Sequence, residues 1–295
     1  MQYFLQLLVN GISTGAVYAI IAVGWALIFS ILKFSNFAHG GTMVVAAYAG
    51  MLCTRLFGAN LFLTLLSAAL IGGALNVAVE FIAFRRIRVK TNTVILLFVS
   101  AITMGSLLQN LVAIRFGGTF YSYPNFFENV NRYINLGGLS IDLADVIMLI
   151  VSAICIAALV FVLHKTRLGI AVRALAIDPR ATSLMGINVN LVVSATFFVA
   201  GALAGVAGVF VGIRTILSPA LGSTYTVKAF MVAVIGGLGS LNGALYAALM
   251  LGIVETFLTA WIGSALNPVG LFVFLMIFLA IRPNGLAGNF TVDKA

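Results

Sequence analysis

Residues 165–188, KTRLGIAVRALAIDPRATSLMGIN, carry Lys165, Arg167, Arg173, Asp178 and Arg180 between two long apolar stretches. Charge at this density, on a segment with helix signals of its own, offers a surface for a second protein to grip. Asp178 suits an N-cap, Pro179 the first helical position and Gly186 the position after the last turn. That predicts a short helix at about 179–185, preceded by a helical piece at roughly 168–177. The bland alternative is an amphipathic interfacial loop with no partner. A second set of groups lies inside apolar runs: Asn10 and Thr14, the segment SNFAHGG at 35–41, the segment GGLGSLNG at 236–243, and Glu255. Polar groups at depth in hydrocarbon must be satisfied by protein or by a water-lined cavity. Broken helices expose ends that can meet a polar solute. Asn10, Thr14, Asn36, His39, Gly40, Gly237, Gly239 and Glu255 are therefore candidates for lining or gating a path. Asn36 and His39 read equally well as a local turn, and Glu255 as a charge near the end of a span.

Other chemistry is missing from the sequence. There is no GxxxxGK(S/T) phosphate loop, no HExxH and no GxSxG. His39 and His164 are the only histidines, and no metal-spaced His/Cys cluster is visible. Cys53 and Cys155 both lie in apolar segments, so no structural disulfide is expected. The chain reads as neither an enzyme nor a holder of a cofactor or metal. Its net charge of +9 is assigned to topology, because basic residues of polytopic proteins gather in cytoplasmic loops. A nucleic-acid partner is not expected.

The elements that must position these groups follow from composition. Of 295 residues, 62% are hydrophobic and 8% charged, against about a quarter charged in a soluble domain. With roughly 20 residues per span, this length allows about eight. Apolar runs place them near 9–32, 38–55, 60–84, 93–114, 143–163, 189–213, 226–258 and 266–282. No Lys or Arg precedes Lys33, so residues 1–32 read as a retained span rather than a signal peptide. The fold class is all-α: one polytopic membrane helix bundle over 1–295, with broken or re-entrant helices and a cytoplasmic loop at about 165–188. The run 226–258 is too long for one simple helix, and its glycine break predicts two half-helices or a re-entrant turn.

Orientation follows from charge. RRIRVK, with Arg85, Arg86, Arg88 and Lys90, is a tight basic loop and is placed in the cytoplasm. Two spans later the 165–188 loop falls on the same side. Residues 115–142 balance their charges and carry Tyr121, Tyr123, Phe126 and Phe127, as an outer segment with interfacial aromatics does. Arg282 and Lys294 favour a cytoplasmic tail, which requires an extra crossing within 226–258. Gly11 and Gly15, Gly201 and Gly205, and Gly208 and Gly212 are each four residues apart within spans, a spacing that lets helix backbones approach closely in lipid.

Several stretches together carry a family resemblance. GISTGAVYAIIAVGWALIFSILKFSNFAHGG (11–41), RALAIDPRATSLMGIN (173–188), GGLGSLNGALYAALMLGIVE (236–255) and RPNGLAG (282–288) resemble the permeases of bacterial ABC importers for branched-chain amino acids, specifically the shorter of that system's two permeases. The resemblance implies alternating access driven from outside the chain. Its expected partners are a second permease subunit, two ABC ATPase subunits that bind the ATP, an extracytoplasmic substrate-binding protein and membrane lipid. The setting would be the bacterial inner membrane. Arg173, Asp178, Pro179, Arg180 and Gly186 would then form the ATPase coupling element. Permeases for urea, amides, sugars and nucleosides share that fold, so fold alone does not fix the solute. An ion-coupled secondary transporter with Glu255 as its coupling carboxylate, and a channel or scaffold, are the rival readings.

Overall fold

The protein is seen in a computed structural model that describes residues 2–91, 93–117, 120–124, 126, 133–136 and 139–287. Its elements in chain order are α1 (Gln2–Leu32), α2 (Ala38–Phe57) and α3 (Leu61–Val79). A π-helical stretch (Glu80–Phe84) carries α3 into α4 (Arg85–Lys90), and α5 (Val94–Phe116) follows. A two-stranded hairpin, β1 (Tyr133–Leu136) and β2 (Leu139–Asp142), leads to α6 (Leu143–Lys165), α7 (Arg167–Ile177) and α8 (Pro179–Leu184). The chain then forms α9 (Val189–Arg214), α10 (Leu221–Gly236), α11 (Leu241–Ile262) and α12 (Asn267–Ile281). Among the described residues, seven helices are long and apolar enough to cross a membrane, α3 to α4 counting as one; α10 and α12 are shorter apolar helices. The protein is an all-α, multi-pass membrane bundle.

α1 is the axis of the bundle. Its stretch from Gly15 to Ile28 is apolar almost all round, and such a helix must be covered by protein or lipid. Here protein covers it, since residues 15–28 are buried without interruption. α11 lies along one side at backbone contact. A Cβ on Gly11 would come 2.7 Å from the Ile253 Cα, and one on Gly15 2.7 Å from the Leu249 Cα. Gly201 and Gly205 of α9 meet α3 in the same way, at Gly72 and Ala68. Lipid tails are as apolar as leucine, so helices associate through such close packing rather than through hydrophobic burial. The outward faces of α3, α5 and α12 carry exposed Leu70, Ile95, Ile114, Val273 and Met276, an apolar belt for lipid.

The two ends of the bundle differ in charge. Arg88, Lys33 and Arg180 surround one cavity at the end where α1 finishes and α9 begins. This basic end is cytoplasmic by the positive-inside rule, in agreement with the placing of RRIRVK and 165–188 on one side. The hairpin marks the outer end, where Gln6 of α1 donates to the Ser140 carbonyl at 2.8 Å. The hairpin belongs to the 115–142 segment, for which the sequence predicted an outer location but no secondary structure.

The run 226–258 resolves into two helices, with α10 starting earlier, at Leu221, and α11 ending later, at Ile262. Their turn holds Gly237 (φ 95°) and Gly239 (φ 86°), left-handed conformations that glycine adopts without penalty. It sits beside Phe29 and Ser30 near the cytoplasmic end of α1. Residues after α12 then close over it, Leu286 N–H donating to the Ile235 carbonyl at 2.8 Å. The extra crossing is supplied, and the chain beyond α12 reaches the cytoplasmic end. Residues 288–295, including Lys294, lie outside the described residues.

α2 begins at depth rather than at the surface. A Cβ on Gly24 would lie 3.4 Å from the His39 ring, and Gly24 precedes the end of α1 by about 12 Å of helix. Residues 33–37 therefore fold back into the bundle.

Candidate functional site

α10 and α11 each carry one charge into the apolar interior, and the two meet. Lys228 Nζ lies 2.7 Å from Glu255 Oε1. Tyr18 of α1 donates its hydroxyl to Glu255 Oε2 at 2.6 Å and accepts from Lys228 Nζ at 2.9 Å. The ammonium stands 5.2 Å from the ring centroids of both Tyr18 and Tyr225, a cation–π setting that offsets part of its lost hydration. The geometry comes from helix spacing: Tyr225 and Lys228 are three apart on α10 and share a face. The close glycine approach of α1 to α11 brings Tyr18 within reach of Glu255.

The pair stands between two cavities. One, of about 320 Å³, is lined by Thr14, Tyr18, Arg214 and Tyr225 together with the pair. The other, of about 620 Å³, lies among α10, α11 and α12 and is lined by Val227, Met231, Thr259, Leu271 and Phe272 together with the same pair. Toward the outer end the charged track continues. Arg214 donates to the Thr14 hydroxyl at 3.0 Å and pairs with Asp145 at 3.4 Å. Ionisable groups within spans are costly, face the bundle interior or a water-filled cavity, and mark solute or ion pathways. This arrangement can bind and orient a small polar solute. It holds no nucleophile–base pair.

The sequence candidates fall at several levels. Thr14 and Glu255 converge on this track. Asn10 sits one turn outward from Thr14, accepting from Gln6 at 3.1 Å through its side chain and from Thr14 at 2.9 Å through its carbonyl. Asn36, His39 and Gly40 lie apart from it, at the buried start of α2. Asn36 Oδ1 accepts from the Ala38 N–H at 3.1 Å. His39 is 1% exposed, its ring against Gly24 and its nitrogens without a well-formed hydrogen bond. A Cβ on Gly40 would overlap the Gly222 carbonyl and the Thr226 hydroxyl, so this glycine lets α2 and α10 touch. Gly237 and Gly239 belong to the cytoplasmic turn.

The cytoplasmic element is two helices. Asp178 Oδ1 accepts from the N–H groups of Arg180 (2.7 Å) and Ala181 (3.2 Å), Pro179 opens α8, and Gly186 follows it at φ 80°. Arg173 donates to the Leu163 carbonyl at 2.8 Å and ties α7 back to α6. Arg180 faces a cavity of about 540 Å³. At the tips, Ile177, Leu184 and Met185 are 87%, 88% and 81% exposed.

Sequence reasoning left Lys228, Arg214, Asp145, Glu80 and Tyr18 out of the candidate site. Lys228 carried a usable signal, being a cation inside an apolar run that also holds Glu255. Glu80 was hidden beside RRIRVK. It is fully buried and accepts from Arg85 (2.8 Å), Arg88 (3.1 Å) and Ser194 (3.0 Å), joining the α3–α4 corner to α9.

A many-helix bundle with a buried charged track and a capped helix pair at its basic end defines a polytopic membrane transport protein. The family model described as branched-chain amino acid transport system / permease component matches residues 7–281, and the chain belongs to that family. It is 32% identical over 304 residues to the high-affinity branched-chain amino acid transport system permease protein LivH of Escherichia coli K12, covering 99% of this chain and 98% of that one. It is 31% identical over 305 residues to the corresponding protein BraD of Pseudomonas aeruginosa, covering 100% and 99%. Among solved structures, PsaBC from Streptococcus pneumoniae in complex with Fab matches with a TM-score of 0.53 at 15% identity, covering 96% of this chain and 93% of that one, a likeness of fold.

Proposed function

We propose that this chain is a permease subunit of an ATP-driven importer that passes branched-chain amino acids across a bacterial inner membrane by alternating access. The observation that carries the proposal is the α7–α8 element. Ile177, Leu184 and Met185 present exposed apolar side chains at the basic end of the bundle. Exposed apolar knobs on a rigid, capped support fit a protein partner. The chain carries no phosphate-binding loop, so the ATP would be bound by two ATPase subunits docked on this element, which Arg173, Asp178, Pro179, Arg180 and Gly186 would couple to the bundle. A second permease would complete the pathway, and an extracytoplasmic binding protein would deliver the solute. ATP binding moves the bundle only as far as the partners bind one orientation better than the other.

The charge pattern of the track favours an amino acid over urea or an amide, because Lys228 and Glu255 offer both signs within one solute's reach. It also disfavours an ion-coupled carrier, since Glu255 is already engaged by Lys228 and Tyr18. The test is purification of the tagged protein from native membranes, followed by leucine uptake in liposomes. Two co-purifying P-loop ATPases, a second permease and ATP-dependent uptake are expected. A chain that purifies alone and moves leucine on an ion gradient overturns the proposal.

A further inference from the structure

The bundle contains two carboxylate-centred clusters, and they are built differently. Glu80 is sealed: it is fully buried and engaged by Arg85, Arg88 and Ser194. Such a cluster is structural. The Lys228–Glu255 pair is not sealed. Its side chains are 18% and 13% exposed, and both line both neighbouring cavities. The larger cavity has a polar side and an apolar side. Thr224 and Thr259 lie on the polar side, Thr259 accepting from Asn267 Nδ2 at 2.5 Å. Met231, Leu271 and Phe272 form the apolar side.

We infer that Lys228 and Glu255 are the two halves of a receptor for the zwitterionic head of an α-amino acid. Lys228 takes the carboxylate, Glu255 takes the ammonium, and an aliphatic side chain lies against Met231, Leu271 and Phe272. The physical ground is charge conservation in a low dielectric. Opening a part-buried ion pair leaves two charges short of a partner, which is unfavourable. A zwitterion that inserts into the pair gives each charge a new partner at once, so the site stays neutral throughout. A singly charged or uncharged analogue cannot make that exchange. At about 620 Å³ the cavity falls within the usual range for small-molecule sites.

This inference rests on the amino-acid permease reading, and the experiment separates the two. The complete transporter, with its co-purifying subunits and without binding protein, is placed in nanodiscs. Binding of radiolabelled leucine is measured, with leucinamide (no carboxylate) and 4-methylpentanoate (no ammonium) as competitors. Saturable leucine binding is expected, with each analogue weaker by at least about tenfold. The neutral double reversal Lys228→Glu with Glu255→Lys should assemble and lose leucine binding by at least about tenfold, because the polarity no longer matches the apolar wall. Analogues that compete as well as leucine, no saturable binding at millimolar leucine, or a reversed pair that binds as wild type would each overturn the receptor. If leucine uptake persists in cells in any of those cases, only the receptor falls; if cells take up no leucine, the permease reading falls as well.

Discussion

The Glu80 carboxylate grips the Arg85 guanidinium at two points, Nη2 to Oε2 at 2.8 Å and Nε to Oε1 at 3.3 Å, within one turn of helix. The π-helical stretch that begins at Glu80 makes this possible by shifting the register of the following turn. The same carboxylate binds Arg88 and Ser194, so the corner where α3 becomes α4 is bolted to the start of α9. Replacing Glu80 with Ala leaves two guanidiniums facing a carboxylate-sized gap. The expected loss is about 3–5 kcal/mol of stability. Thermal unfolding of the detergent-solubilised protein, followed by size-exclusion fluorescence, measures it; an unchanged midpoint refutes the structural role.

The contact between α1 and α11 leaves no room for a side chain. A Cβ on Gly15 would lie 2.9 Å from the Ala248 carbonyl oxygen as well as 2.7 Å from the Leu249 Cα. Gly15→Leu should therefore cost about 3 kcal/mol by overpacking and pull Tyr18 away from Glu255. Yield of monodisperse protein and leucine uptake should fall together. Uptake at the wild-type level would show that the two helices can separate without harm to the track.

At the cytoplasmic tip, burial predicts a different signature. Leu184 and Met185 touch little of the bundle, so Leu184→Asp and Met185→Asp should change stability by less than about 0.5 kcal/mol. If they are the docking knobs, each should weaken ATPase retention by about tenfold or more. Co-purification at graded detergent concentration reads this directly. Full retention in both variants would move the interface elsewhere.

Gly186 and Arg173 test transmission rather than docking. A Cβ at Gly186 meets no atom within 4 Å, but a residue there must adopt φ 80°, a strain of about 1–2 kcal/mol at the α8–α9 joint. Arg173→Glu removes the bond to the Leu163 carbonyl that ties α7 to α6. Both variants should assemble and hydrolyse ATP while moving less leucine per ATP. A wild-type ratio in both would sink the coupling role.

The spans were legible because their apolar runs are long and their breaks are glycine-rich. The α8 helix was legible because Asp178, Pro179 and Gly186 spell out its start and stop. The hairpin at β1 and β2 was not, since the balanced charges and aromatics of 115–142 say only that the segment is outside. The site was half legible. Glu255 is conspicuous as an acid, and Thr14 as a polar residue in a span. The break between α10 and α11 was legible in the glycines, but the register that sets Lys228 against Glu255 is a tertiary fact that no local pattern encodes. Glu80 escaped notice because a carboxylate beside four basic residues looks solvated until the π-helical turn buries it.

The buried start of α2 bears on how the protein is made. α2 is the least apolar of the long helices and carries His39 and Thr42 on surfaces that only neighbouring helices cover. Released alone into lipid from the translocation machinery, it would present those groups to hydrocarbon. Its covering includes Gly105 and Leu108 of α5, Met43 meeting Gly208 of α9, and Gly222 of α10, all synthesised later. The second helix to leave the ribosome thus reaches its final surroundings only when α3, α5, α9 and α10 have joined it.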